Sequence, residues 1–295
     1  MRLVSLSSGT GWHVGDLARA AGLLGRKLIA CSWRNLVGRV GLAPAISVDG
    51  CILDATQPTV VLLRTMPPGS LEQIVFRMDL MQRLESSGVH VVNPPRAIEV
   101  AVDKYLALAR LEAAAVPVPE TVICQRLSDA REAYHQLGGD VVIKPIFGSE
   151  GFGLTRVSDA DTADRIFAAL ERIQSVIYLQ RFVPHGGEDL RLFVLGNRVL
   201  TAMRRRAADW RTNVARGASG EPFVADSTLS ELAVRAARSC EALVAGVDVA
   251  IDPKRGPLVL EVNAVPGWRE LSRVTGRDIA VEVLRFALAG AVKVS

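Results

Sequence analysis

Apolar residues follow two rhythms over the first 95 positions. Runs of strand length stand at 3–6 (LVSL) and 59–64 (TVVLLR). Segments 14–26 (VGDLARAAGLLGR) and 70–88 (SLEQIVFRMDLMQRLESSG) carry the 3.6-residue period of amphipathic helices. The second helix is framed by a capping box, Ser70 with Gln73, and by Gly88 just past its end. A strand at 89–95 (VHVVNPP) closes the region on a proline stop. Alternation of this kind predicts an open α/β sheet over 1–95.

A second unit, 96–178, opens on one long helix (AIEVAVDKYLALARLEAAA, 97–115). Strands follow near 121–124 and 141–145, then a helix at 161–173. The third unit, 179–295, is entered through VIYLQRFV (176–183). It contains two hairpin signals. In 189–206, Gly196-Asn197 divides two apolar runs, and in 246–267 DPKRGP divides GVDVAI from LVLEVNAVPG. No solenoid-period repeat and no low-complexity linker interrupts the chain.

Composition narrows the classes. Hydrophobic residues make up 49% of the 295 positions and charged residues 22%, a globular balance that excludes disorder. Aromatics at 5% disfavour a base-stacking surface. A net charge of +4 with no Lys/Arg tail suits small anionic ligands better than nucleic acid. Cys31, Cys51, Cys124 and Cys240 are scattered, and neither they nor the four histidines have metal-ligand spacing, so reduced thiols and no zinc are expected. The N-terminus has too short an apolar run for a secretory leader, and no uncharged stretch reaches ~18 residues, so a cytoplasmic location away from membranes is expected.

Three stretches carry candidate chemistry. IKPIFGSEGFG (143–153) follows a strand, and its glycines permit backbone N–H groups to approach an anion. It is not a P-loop sequence, and a surface turn explains it equally well. In the last hairpin, symmetry about Lys254-Arg255 sets Asp248 opposite Glu261, with Asn263 two residues on along the same face. Facing carboxylates repel unless a cation intervenes, and an all-oxygen donor set selects a hard ion such as Mg²⁺ or Mn²⁺. A register error of one residue would undo this reading. Between these stretches lie Arg191, Arg204, Arg205, Arg206, Arg211, Asn213 and Arg216. Strand alternation aims Arg204 and Arg206 to one side and Arg205 to the other, and either a solvated face or a clamp for phosphate or carboxylate fits the run.

The order of these parts resembles the ATP-grasp superfamily, in its RimK-like branch of amino-acid ligases. Lys104 follows AVD, and then come VVIKPIFGSEGFG, YLQRFV, GGEDLRLFV, WRTNVARG and GVDVAID…LVLEVNAVPG. The resemblance covers about 60–285; the first 58 residues match only in general α/β character. It implies an ATP-grasp fold, α+β lobes behind an N-terminal pre-ATP-grasp α/β domain. Residue by residue it implies that Lys104 and Lys144 contact nucleotide phosphates and that a mobile lid spans Gly148, Ser149, Gly151 and Gly153. Gln180, Arg181, Phe182 and Val183 would offer backbone groups to adenine, and Asp189 would hold the ribose. Arg211 and Asn213 would help bind nucleotide and metal. Asp248, Glu261 and Asn263 would ligate Mg²⁺ or Mn²⁺, with two ions expected. Arg191, Arg204 and Arg211 would be the catalytic cations, stabilising an acyl phosphate and its charged neighbours.

The implied reaction joins a carboxylate to an amine through an acyl phosphate, with release of ADP. It needs no protein nucleophile. The sequence departs from the family at Arg181, Glu150, Val265 and Trp268, which leaves nucleotide chemistry intact and puts the acceptor pocket in question. LLRTMPPGSLEQIVFRMD (62–79) looks closer to ligases that add glutamate to one-carbon cofactors such as tetrahydromethanopterin or methylofuran. The reading is a ligase adding L-glutamate to a small carboxylate-bearing, cofactor-like acceptor, and a homo-oligomer is compatible with it. Glutamylation of a protein C-terminus and a non-catalytic nucleotide-binding module are the alternatives. The first of these shares all the site residues, whereas a module has no need of a second metal-ligating carboxylate.

Overall fold

A computed structural model describes residues 1–9, 11–148, 153–212 and 217–292 of the chain. Ser149, Glu150, Gly151, Asn213 and Arg216, all singled out in the sequence, lie outside the described residues. The chain opens with β1 (Arg2–Ser7), α1 (Trp12–Leu23), β2 (Leu28–Ser32), β3 (Leu36–Gly38), β4 (Ile46–Val48), β5 (Cys51–Ile52), β6 (Thr59–Leu63), α2 (Leu71–Ser86) and β7 (His90–Val92). Four of these strands form a parallel sheet in the order β2-β1-β6-β7, and β3-β4-β5 make a small antiparallel sheet. The capping box expected of α2 is present in both directions, Gln73 N–H to Ser70 Oγ and Ser70 N–H to Gln73 Oε1.

The helix expected over 97–115 is two helices, α3 (Pro95–Val102) and α4 (Lys104–Ala113). Asp103 is the reason. Its carboxylate accepts from the backbone N–H of Tyr105 and Leu106, ending one helix and capping the next. Lys104 therefore stands on the first turn of α4.

Next come β8 (Thr121–Cys124), α5 (Leu127–Gln136), β9 (Val141–Lys144), β10 (Thr155–Val157), α6 (Ala160–Arg172) and β11 (Ile177–Arg181). These strands make an antiparallel sheet, β10-β9-β11-β8, whose one face packs on α5 and α6 through Tyr134, Phe167, Ile143 and Leu179. The last unit holds β12 (Glu188–Leu195), β13 (Arg198–Arg206), β14 (Ser219–Phe223), α7 (Ser227–Ser239), β15 (Val244–Asp252), β16 (Gly256–Asn263), α8 (Arg269–Thr275) and α9 (Ile279–Val292). Its sheet runs β14-β13-β12-β15-β16, antiparallel throughout. Gly196-Asn197 is the turn between β12 and β13, with Gly196 at φ +61°. Among the described residues no helix is long and apolar enough to cross a membrane.

Packing crosses the boundaries expected at 95 and 178. β11 completes the central sheet and carries it to Arg181. Helices α3 and α4 share the core of the last sheet, with Val100 and Leu111 against Leu192, Val247 and Val262. Helix α9 returns to the first sheet, where Leu284 and Ala287 pack with Leu17 and Leu62.

One buried side chain ties the first unit to the last. Asn93 is 2% exposed. Its amide N–H groups donate to the carbonyls of Val244 and Ala264, and its oxygen accepts from the N–H of Leu243 and Val244. That one amide engages four backbone groups. Asn93→Ala is expected to lower unfolding free energy by about 3 kcal/mol or more, because buried backbone groups lose their partners. Denaturant titration checks this, and a change below about 0.5 kcal/mol would show that the clamp is dispensable.

Candidate functional site

The sheet of the last unit has two unlike faces. One is apolar and packs on α7 through Leu192, Val194, Val247 and Val262. The other carries charge. The register sets Glu261 beside Asp248 and Asp248 beside Arg191, with Asp189 beside Arg205 in the next row. Directly opposed residues share a face, so five ionisable side chains meet on one surface.

Asp248 opposes Glu261, as the symmetric hairpin predicts, but by a different path. The turn is one residue tighter than symmetry about Lys254-Arg255 requires, with Asp252 opposite Gly256 and Val249 opposite Val259. The Asp252 carboxylate holds it by accepting from the N–H of Lys254 and Arg255, and Gly256 takes φ +78°. A β-bulge then inserts Leu260, and pairing resumes with Asp248 against Glu261. Without that extra residue Leu260 would face Asp248 and Glu261 would turn toward the α7 side. Leu260 packs with Val183, Ala250 and Leu258, an apolar patch beside the site that the sequence reading missed.

Asp248 is 6% exposed and shared by two guanidiniums. Arg191 binds it through two bonds of 2.6 Å, and Arg205 Nη2 lies 2.9 Å from Oδ2. Burial pushes its carboxyl up, but Arg191 and then Arg205 push it further down, to about 2. Arg205 also grips Asp189 through Nε at 2.7 Å and Nη2 at 2.6 Å, and Thr212 donates to the same carboxylate. The attraction of the two acids outweighs burial and holds Arg205 firmly protonated.

Two expectations are corrected here. Asp189, assigned to the ribose, is 3% exposed and its oxygens are taken by Arg205 and Thr212, so it braces Arg205 instead. Arg204, assigned to catalysis, stands on the opposite face, facing Glu188 and Glu221 and lying over the Phe223 ring. Its neighbour Arg205 occupies the carboxylate face. Alternation along β13 already separated the two; the choice between them needed the position of Asp248.

The facing sheet and α4 each supply a lysine. Lys144 ends β9, in register with Tyr178, and its Nζ donates to Gln180 Oε1 at 2.7 Å. Gln180 in turn donates to Thr121 Oγ1, which fixes its amide orientation. Burial lowers the Lys144 pKa to about 8 against the upward pull of Glu261, with Lys104 adding to the fall. Burial likewise lowers Lys104, while Glu261 and Asp103 raise it. Both ammonium groups therefore feel the same carboxylate across the cleft. Lys104 Nζ donates to the carbonyl of Gly148 at 2.8 Å, tying α4 to the start of the glycine-rich loop. Gly148 and Gly153 have φ of +140° and +76°, values that an L side chain rarely adopts.

The segment 180–183 joins the two sheets. The N–H groups of Arg181 and Phe182 are engaged by the carbonyls of Glu120 and Asp140, and Val183 O accepts from His185 N–H. Arg181 pairs with Glu120, and the Arg156 guanidinium lies 3.5 Å over the Phe182 ring. Arg211 bonds Asp209 and lies over Trp210, which meets Phe182 edge-on.

Among the described residues no three His, Cys, Asp or Glu side chains cluster as a metal site. The donor set is two carboxylates and an amide, and its free lone pairs suit a hard cation. Arg191 and Arg205 take both lone pairs of Asp248 Oδ2 and Arg191 one of Oδ1, leaving one on Oδ1. Asn263 Oδ1 accepts once, from Val265 N–H. Glu261 makes no hydrogen bond or ion pair among the described residues. Glu261 would thus be the principal donor to a cation held here, with one oxygen each from Asp248 and Asn263.

Comparison with known proteins agrees with this architecture. Residues 101–287 match the model of the RimK-like ATP-grasp domain. The tetrahydromethanopterin:alpha-L-glutamate ligase of Methanosarcina acetivorans is 32% identical over 255 residues, 77% of this chain and 78% of that protein. A probable alpha-L-glutamate ligase of Xanthomonas oryzae pv. oryzae is 38% identical over 212 residues, 70% of this chain and 71% of that protein. Among solved structures, ATP-grasp ligase PsnB complexed with minimal precursor, Mg and ADP superposes with a TM-score of 0.77 at 21% identity, covering 98% of this chain and 97% of that one. D-cycloserine synthetase DcsG gives 0.72 at 19% identity, covering 99% and 100%. These last two bear on the fold alone.

The two arginines separate experimentally. Arg205→Met leaves Asp189 without its partner and Asp248 with one, and is expected to cost about 3–5 kcal/mol of stability. Arg204→Ala is expected to cost under about 1 kcal/mol, since its pairs are exposed. Because the folded carboxyl of Asp248 lies below its ordinary range, the stability it contributes is full above pH ~4 and is lost as pH falls toward 2. Equal losses for the two variants in denaturant titrations would reverse the assignment.

Proposed function

The chain belongs to the RimK-like ATP-grasp family and is an ATP-dependent carboxylate–amine ligase, and from that premise we propose that it adds L-glutamate to a small carboxylate-bearing acceptor of the cofactor kind. The observation that carries the site assignment is the pairing of Asp248 with Glu261 on a face opposed by Lys104 and Lys144. Lys104 and Lys144 take the phosphates of ATP. The apolar patch of Val183, Leu258 and Leu260 lies against the base, and Gly148 and Gly153, both at positive φ, stand beside the triphosphate.

Asp248, Glu261 and Asn263 hold the divalent cations, Mg²⁺ with Mn²⁺ able to replace it, two in number. When bound, these cations neutralise triphosphate charge. Arg191, fixed by Asp248 yet 15% exposed, offers its free edge to the reacting carboxylate. The acceptor carboxylate attacks the γ-phosphorus, the bond to the bridging oxygen breaks, and ADP leaves. The amine of glutamate then attacks the acyl carbon, the carbon–oxygen bond breaks, inorganic phosphate departs and the amine loses a proton. Lysines and arginines already in place reduce the reorganisation each step requires.

A glutamate acceptor of cofactor type is supported by relatives named for tetrahydromethanopterin and by the likeness of 62–79 to such ligases. ADP release is the test, with ATP, Mg²⁺, L-glutamate and, in separate reactions, pterin-type polyglutamyl acceptors and peptides with free C-termini. Turnover is expected with the former. Turnover with peptides alone would move the assignment to protein modification, and tight ATP binding without turnover on any acceptor would make the chain a binding module. Glu261→Gln is expected to slow ADP release by about 100-fold or more with the fold intact. Near-normal release would refute the metal assignment.

A further inference from the structure

Arg64, at the end of β6, is a buried cation that nothing described above uses. It is 8% exposed, and among the described residues it forms no ion pair. Nη2 donates to the carbonyl of Pro266 at 2.8 Å, and the guanidinium lies 4.5 Å from the centre of the Trp268 ring. Its Nε is buried with no hydrogen-bond partner. Nη1 likewise makes no hydrogen bond among the described residues, and it is not among the fully buried atoms. Two of its three nitrogens are therefore uncommitted, in a place where an unpaired charge is costly.

The surroundings hold both signs of charge. Pro266, which Arg64 touches, sits beside Gly246, and a Cβ built on Gly246 would lie 3.2 Å from Pro266 Cβ and 3.7 Å from Arg191 Nε. Arg64 and Arg191 thus flank the loop that follows Asn263. On the other side of Trp268 stands the start of α1. His13 Nε2 accepts from Trp268 N–H at 3.0 Å, and Asp16 accepts from the indole N–H at 2.9 Å. The N-cap of this twelve-residue helix is Gly11, with no side-chain cap among the described residues and no acid in the first turn. Arg269 lies 5.7 Å from the Trp12 ring. Burial and the Arg64 charge lower His13 to about 4, so it is neutral, and burial alone lowers Arg64 to about 10 with no acid acting to hold it up.

We propose that Arg64, with the start of α1, receives a non-reacting carboxylate of the substrate beside the loop 264–268. The proposal rests on the ligase reading, and it names the group by which the site selects its substrate. A carboxylate matches the guanidinium fork, satisfies its free nitrogens and supplies the missing counter-charge. The helix start favours the same sign of charge. Two substrates carry such a group: the incoming amino acid, and an acceptor that already ends in a glutamyl unit.

Calorimetry on the full chain saturated with Mg²⁺ and AMP-PNP tests it, with L-glutamate in one arm and N-acetyl-L-glutamate, whose blocked amine imitates a glutamyl end, in the other. Wild-type protein is expected to bind at least one, and the arm that responds identifies the source. Arg64→Met, which keeps the packing on Trp268, is expected to weaken that affinity roughly 10- to 100-fold while leaving AMP-PNP affinity unchanged. Arg64→Lys keeps the charge without the fork and is expected to fall between the two. It also serves alone if the methionine variant does not fold. Unchanged carboxylate affinity in the variants, or no binding of either compound by the wild type, overturns the proposal. Loss of AMP-PNP binding by the wild type would instead strike at the ligase reading.

Discussion

Charge balance on one sheet face governs this molecule. Asp189 and Asp248 are buried, and the doubly paired Arg205 together with Arg191 neutralises them as a set. Burying any one of the four without the others would cost several kcal/mol. The set therefore fixes the orientation of Arg191 and leaves Asp248 a single free lone pair. Glu261 stands outside it and faces Lys104 and Lys144, so that cleft carries one positive charge in excess. Such a cleft suits an anionic ligand that brings its own cations, which would occupy it without forcing any of these side chains to neutralise.

The bulge at Leu260 converts an ordinary hairpin into that site. Regular pairing from the turn would have aimed Glu261 at helix α7 and left Leu260 facing Asp248. One inserted residue returns Glu261 to the charged face and leaves Leu260 beside Val183 in the apolar patch. The polar and apolar halves of the cleft are thus set by a single irregularity in one strand.

Much of this was legible from residue pattern. Both hairpins, the capping box of α2 and the opposition of Asp248 to Glu261 follow from local rules of period and turn chemistry. The last was reached through a turn one residue too long, an error that the bulge cancels. What escaped depends on contacts distant in sequence. Asp103 ends a helix that apolar spacing alone would continue, because its side chain competes for backbone N–H groups. Arg205 and Arg204 are indistinguishable until Asp248 and Glu221 appear on opposite faces of the sheet. Asn93 and Arg64 find their partners some 150 to 200 positions away, as the separations of 151 and 202 residues show. No pattern within a window of sequence could assign them.

A face balanced in this way has little work left beyond holding a carboxylate, a triphosphate and an amine in line, which is why no nucleophilic side chain is required. The covalent link is then made between substrates, and an oxygen atom must move from one to the other. The decisive measurement is transfer of ¹⁸O from a labelled acceptor carboxylate to inorganic phosphate during turnover with ATP, Mg²⁺ and L-glutamate. One labelled oxygen per phosphate is expected, since the attacking oxygen becomes the bridge of the acyl phosphate and leaves with the phosphoryl group. Amide formation and ADP release with unlabelled phosphate would contradict an acyl-phosphate path through this site.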